Sequence, residues 1–150
     1  MKKEHSVSKI KDGTVIDHIP SKSTLKVVNI LNLEKHRNII SIGTNLHSKV
    51  MGKKGIVKIG GKTLTQEEVD KVAIIAPYVT VNLIKDYEVK KKLKVSVPDE
   101  VENIIKCSNP NCITNHEKAD TKFKVLKKKP VKVMCKYCER VMEKEDIKLV

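Results

Sequence analysis

The sequence predicts an α+β chain in two parts. Residues 1–100 are expected to form a split-βαβ, ferredoxin-like sandwich, in which two helices cover one face of an antiparallel sheet. Residues 101–150 are expected to form a small zinc-ribbon-like β domain. Three observations predict this. Strand-like and helix-like patterns follow the order strand, helix, strand, strand, helix, strand, with one more strand after them. All four cysteines, Cys107, Cys112, Cys135 and Cys138, fall in the last third of the chain. Pro98 breaks the pattern between the two regions.

The first strand is GTVIDHI, residues 13–19, rich in β-branched side chains and stopped by Pro20. Ser21 or Ser23 is placed to cap a helix whose apolar face is Leu25, Val28 and Leu31, flanked by Val27 and Ile30. NIISIGTN, residues 38–45, reads as the second strand, and a turn region at Met51 and Gly52 leads into a third over residues 56–59. The next helix is the best marked. Thr65 and Glu68 make a capping box, Leu64 can staple onto Val69, and Val69, Val72, Ala73 and Ala76 share one face before Pro77 forbids continuation. Residues 79–84 and 87–95 read as strands, and residues 99–105 as a short helix between the modules. Beyond it, residues 122–125, 130–134 and 146–150 read as short strands around the cysteines.

Four residues lie between Cys107 and Cys112, two between Cys135 and Cys138, and twenty-two between the pairs. Two knuckles facing each other across a hairpin can set four sulfurs at the corners of a tetrahedron, the coordination that structural Zn²⁺ takes. Two disulfides are the competing reading. The N-terminus, MKKEHSVSKI, has no apolar stretch to route the chain to an oxidising compartment, so reduced thiols are expected. A redox Cys-x-x-Cys would stand alone near a βαβ unit. An all-sulfur set leaves no open position for a catalytic water. His116 reads as a solvated loop histidine.

No apolar run approaches membrane-spanning length, and a soluble, cytoplasmic protein is expected. The net charge of +13 is nearly all lysine, with Arg37 and Arg140 the only arginines, and points to anionic partners. The scarcity of arginine and of aromatic side chains argues against base readout and against stacking on single strands. Asp17 and His18 adjoin in an otherwise apolar strand, where strict alternation sends neighbours to opposite faces. They suggest a polar pocket beside the sheet, a carboxylate for hydroxyls and a histidine near phosphates, or else a hydrogen-bonded structural histidine. Lys54, Lys58 and Lys92 lie in or near three strand-like segments, and spacing does not show that they converge. No nucleophile held by a base is marked, and residues 51–54 (MGKK) are too short for a P-loop.

The segments GTVIDHIP (13–20), MGKKGIVKI (51–59), TVNLIKDYEV (80–89), CSNPNCITN (107–115) and CKYCE (135–139), in this order through nearly the whole chain, resemble the regulatory chain of aspartate carbamoyltransferase. The resemblance implies a non-catalytic subunit of two domains. The first would bind nucleoside triphosphates (CTP, ATP and UTP as allosteric effectors) and pair with another regulatory chain as a homodimer. The second, with one structural Zn²⁺ on the four cysteines, would dock on the catalytic chain. Two catalytic trimers and three regulatory dimers would make the holoenzyme, under feedback control of pyrimidine biosynthesis. By the same resemblance Asp17 would receive ribose hydroxyls and Lys58 the ribose and phosphate side. Lys92 would hold the triphosphate, with His18, Lys54 and Asn82 also on the phosphate side. Ile10, Ile84, Tyr87 and Val89 would bound the base. Ser8 stands where the family pattern has an acidic residue. The rival reading is a basic zinc-ribbon protein that binds nucleic acid; it explains charge and metal but not the strand carrying Asp17 and His18. The family reading expects neither nucleic acid nor membrane as a partner.

Overall fold

The computed structural model describes residues 9–150, so Ser8 lies outside the described residues. The chain divides into two compact units, Met1–Ser96 and Val97–Val150.

In the first unit the elements run β1 (Gly13–Pro20), α1 (Thr24–Ile30), β2 (Ile40–Ser48), β3 (Gly52–Gly60), α2 (Gln66–Ile75), β4 (Thr80–Lys85) and β5 (Glu88–Leu93). The five strands form one antiparallel sheet in the order β2-β3-β1-β4-β5. This is the ferredoxin-like arrangement expected, with β5 added at one edge. Ile16, Ile19, Val57, Ile59 and Val81 from one sheet face pack with Val27 and Leu31 next to and on α1 and with Val69, Val72 and Ala76 of the α2 region in a single buried core. Val15, Asp17, Lys58 and Asn82 alternate with those positions and so lie on the opposite face, which carries no helix among the described residues.

Helix α2 forms as its sequence dictates. Thr65 Oγ1 accepts from the Glu68 N–H at 3.2 Å, and Glu68 Oε1 accepts from the Thr65 N–H at 3.1 Å, closing the capping box. Helix α1 departs from expectation. Leu25 is 65 % exposed, and the inward positions are Thr24, Val27 and Leu31. The reason is Gly55, which has no Cβ to obstruct the Thr24 hydroxyl lying against it. Neither serine caps the helix by its side chain. The Ser21 carbonyl instead accepts the Thr24 and Thr44 hydroxyls, and its hydroxyl accepts the Asn45 N–H.

The second unit holds β6 (Glu100–Glu102), β7 (Ile105–Lys106), β8 (Lys122–Lys128), β9 (Val131–Cys135), β10 (Val141–Glu143) and β11 (Lys148–Leu149). They form a four-stranded sheet, β10-β9-β8-β6, and a two-stranded one, β11-β7. The helix expected over residues 99–105 is absent: two short strands stand there. Val101 and Ile105 are both buried, and a spacing of four suits a helix face and a strand face alike. Asn103 decides the matter. It adopts a left-handed conformation (φ 57°) and donates its N–H to the Thr121 carbonyl at 2.7 Å, turning the chain between β6 and β7.

Candidate functional site

Two candidate sites emerge, one in each unit. The first is laid out by strand register on the helix-free face. Lys58 of β3 pairs with Val15 of β1, Val15 with Asn82 of β4, and Asn82 with Lys92 of β5. These four residues therefore make one row across four neighbouring strands. Successive strands lie about 4.8 Å apart, so the two lysines bracket Asn82 across roughly 14 Å of sheet. Two residues along β4 in one direction is Thr80, paired with Asp17; two in the other is Ile84, paired with Gly13 and with Val89.

Asp17 and His18 come to the same side, contrary to strict alternation, because β1 carries a bulge there. Ile16 pairs with Val57 and Ile19 with Gly55, which leaves one extra residue on β1, and His18 has φ 59°. The bulge lets Ile16 and Ile19, three apart, both reach the core. Asp17 Oδ1 accepts the His18 N–H at 2.6 Å and the Lys54 ammonium at 2.9 Å. His18 Nδ1 shares a hydrogen bond of 3.0 Å with the Thr80 hydroxyl. Thr80 was missed by motif reading, and its place opposite Asp17 depends on a register visible only once the strands pair.

Burial depresses the Lys58 ammonium below its usual value, the Asp17 carboxylate pulls it back up, and Lys9 pushes it down further. Asn82 Oδ1 is buried with no hydrogen-bond partner, an acceptor that a ligand donor would satisfy. At the far end, Asp86 and Tyr87 form a two-residue turn with both φ values positive, 51° and 66°. The turn is held by the Asp86 N–H to Asp12 Oδ1 at 3.1 Å and the Tyr87 N–H to the Lys11 carbonyl at 2.9 Å. This ties Tyr87 to the segment bearing Ile10, which is buried outside the main core. Ile84 and Val89 adjoin as a register pair.

The second site is the four cysteines. Their Sγ atoms all lie within 4.8 Å of one another, with Cys107 to Cys138 at 3.6 Å and Cys112 to Cys135 at 3.8 Å. Four thiolates about 2.3 Å from a tetrahedral Zn²⁺ would stand about 3.8 Å apart, so the set fits that ion. The thiols are free, not disulfide-bonded. Burial pushes the Cys107 thiol up to about 12 against the pull of the Asn109 N–H. Burial also acts on Cys138, but the Arg140 N–H, the Asn109 side chain and neighbouring thiols outweigh it and hold it at about 7. A metal binding here displaces thiol protons.

The first knuckle is pinned by Asn115, whose amide donates to the Cys107 carbonyl at 3.0 Å and the Asn109 carbonyl at 2.7 Å. Thr114 Oγ1 lies 3.1 Å from Cys112 Sγ. His116 is not merely solvated: its Nε2–H donates to the Pro110 carbonyl at 2.7 Å.

Two family models match the chain: the allosteric domain of the aspartate carbamoyltransferase regulatory chain over residues 5–96, and the metal binding domain of the same chain over residues 99–148. The chain belongs to this family. Similar proteins named aspartate carbamoyltransferase regulatory chain include that of Pyrococcus abyssi, 54 % identical over 146 residues and 96 % of each chain. That of Thermococcus onnurineus is 50 % identical over 145 residues and 96 % of each. That of Parabacteroides distasonis is 47 % identical over 146 residues, covering 97 % of this chain and 95 % of the relative. As a regulatory chain it is a non-catalytic subunit, with a metal-binding domain at its C-terminus. Among the described residues no helix is long and apolar enough to cross a membrane.

Proposed function

We propose that the first unit binds nucleoside triphosphates on its helix-free face and transmits their presence to the catalytic chain of aspartate carbamoyltransferase. The row Lys58, Val15, Asn82 and Lys92, with Asp17 and Lys54 beside it, carries this reading. Lys92, Lys54 and His18 supply positive charge or donors for a polyphosphate. Lys58 reaches both ribose and phosphate. Asp17 holds His18 and Lys54 on one oxygen, and the other is available to ribose hydroxyls. Ile10, Ile84, Val89 and the Tyr87 turn offer the apolar end at which a base fits, and Asn82 Oδ1 supplies the acceptor in between. CTP, ATP and UTP are the effectors this reading implies.

The metal on Cys107, Cys112, Cys135 and Cys138 is, in the same reading, one structural Zn²⁺ per chain. It orders a module that docks on the catalytic chain, while the first unit pairs with that of a second regulatory chain. The assembly works in the cytoplasm, where thiols stay reduced, in feedback control of pyrimidine biosynthesis. Coupling of about 1–3 kcal/mol between effector and substrate sites is the ordinary scale for such control. The charge distribution speaks against the nucleic-acid reading. Residues 1–96 hold nineteen Lys and Arg against nine Asp and Glu, residues 97–150 only twelve against nine. Most of the basic excess therefore lies outside the metal module, where a nucleic-acid-binding ribbon would need it.

Calorimetry with a pyrimidine and a purine triphosphate tests the site. Lys58→Ala and Lys92→Ala should each weaken binding about ten- to 150-fold, the loss of a hydrogen bond to a charged group. Lys128→Ala, in the other unit, should change little. Equal small effects at all three positions would reduce binding to diffuse electrostatics and remove the site.

A further inference from the structure

The second unit contains a cavity of about 420 Å³ beside the first cysteine knuckle, lined by Lys106, Cys107, Ser108, Pro110, Asn115, Asp146 and Lys148. Two of these residues are oddly placed. Lys106 and Lys148 are register partners across β7 and β11. That ladder has one other rung, Ile105 with Leu149. Like charges directly opposite each other destabilise a strand pair, and here they stand on a sheet of only two strands. Among the described residues neither ammonium forms an ion pair with a carboxylate. Asp146 lines the same cavity, but its Oδ2 is engaged by the Glu143 N–H at 3.1 Å.

The rest of the wall is fixed in advance. Asn115 spends both amide hydrogens on the knuckle, leaving its oxygen as an acceptor. Arg140 holds the Ser108 carbonyl at 3.3 Å, and the Val150 N–H to the Ile104 carbonyl at 2.9 Å ties down the end of the chain beyond β11. The cavity thus presents two unpaired cations together with acceptors at Asn115 and Asp146. A bare inorganic anion would answer the cations and leave the acceptors unmet. A peptide segment carrying an acidic side chain answers both, with its carboxylate on the lysines and its N–H groups on the acceptors.

We propose that this cavity receives an acidic side chain of the catalytic chain, seated between Lys106 and Lys148. The proposal rests on the reading above that the metal-binding unit docks on that chain, and it adds the place and the chemistry of the contact. It also explains the opposed lysines: a pair that strains the free chain is relieved in the complex.

The test titrates the metal-loaded full chain with catalytic chain at two ionic strengths. Lys106→Gln and Lys148→Gln should each weaken docking roughly tenfold, and the pair together on the order of a hundredfold, with a shallower salt dependence. Lys118→Gln with Lys127→Gln removes the same charge outside the cavity and should dock much as the unsubstituted chain does. The lysine pair also has a signature in the free chain: neutralising Lys106 and Lys148 should raise its thermal midpoint, because the repulsion is gone. A fall in that midpoint would make the lysines structural and overturn the proposal. So would a Lys106→Gln/Lys148→Gln chain that docks as tightly as the control, with the docking reading left intact. If the unsubstituted chain fails to bind catalytic chain at all, the docking reading and the cavity's partner fall together.

Discussion

The two units solve the problem of building a site in opposite ways. In the first, a sheet and two helices bury Ile16, Ile19, Val57, Ile59, Val69, Val72 and Val81 in one core, and its proposed binding face is a by-product of strand pairing. Lys58, Asn82 and Lys92 are brought into one row by three ladders, though as many as 34 positions separate them in sequence. In the second unit the site is itself part of the interior. Cys107, Cys112 and Cys135 are as buried as Phe123, Val133 and Met142, and few other apolar residues of that unit, Val101, Ile105 and Val131 among them, are buried with them. One unit is a fold that carries a site; the other is a site that organises a fold. The first should therefore survive loss of its ligand, and the second should not survive loss of its metal.

Metal removal is the strongest way to break that contrast. Structural zinc contributes an apparent 10–16 kcal/mol or so to small metal-dependent folds at neutral pH. Chelation, or Cys135→Ser, is expected to abolish hydrogen-exchange protection in β8 and β9 while β1, β3 and β4 keep theirs and still bind triphosphate. Protection in β8 and β9 that persists without metal would refute the account of the second unit. Simultaneous loss in both units would refute their independence.

The same contrast governs what could be read from the sequence. The cysteine site is legible because metal ligation fixes short spacings, and the predicted quartet is the one that assembles. Helix α2 is legible because its cap, face and stop are all local. That Lys58, Asn82 and Lys92 belong together was read only through family resemblance, since strand register is a property of pairing and leaves no spacing signal. Local rules misled in three places. Strict alternation separated Asp17 from His18, which a bulge reunites. Leu25 was placed inward, although Thr24 takes that position. Residues 99–105 were read as a short helix, where an Asn103 turn joins two strands. Strand β10 went unread, three residues being too few to show a period.

Gly55 sharpens the comparison within the first unit, because it links core and site. A Cβ there would overlap the Thr24 hydroxyl, and the bulges at His18 in β1 and at Asn45 in β2 both lie near its level on β3. Gly55→Ala should cost about 1–3 kcal/mol through overpacking, read as a lower denaturation midpoint of the first unit with the second unchanged. Adding Thr24→Ala should restore part of the loss. No loss, or no recovery, would mean that α1 is not seated on β3 through this contact.

The smallest effect concerns Lys58 and tests whether the first unit's site behaves as a ligand site on a finished fold. Burial lowers the Lys58 ammonium from its ordinary value of 10.5, partly countered by Asp17. In the free chain some of its charge is therefore lost at a pH below that of an ordinary lysine. A bound polyphosphate favours the charged form, so its pKa rises on binding. The sign follows from linkage. Between the lowered free value and the raised bound value, the complex holds more protons than the free chain. Binding then takes up protons, and affinity falls as pH rises through that window. Calorimetry in alkaline buffers of different ionisation enthalpy measures the uptake directly, and Lys58→Arg, charged throughout, should abolish it. Proton uptake unchanged in Lys58→Arg would assign the titration to another group and place Lys58 outside the ligand's reach.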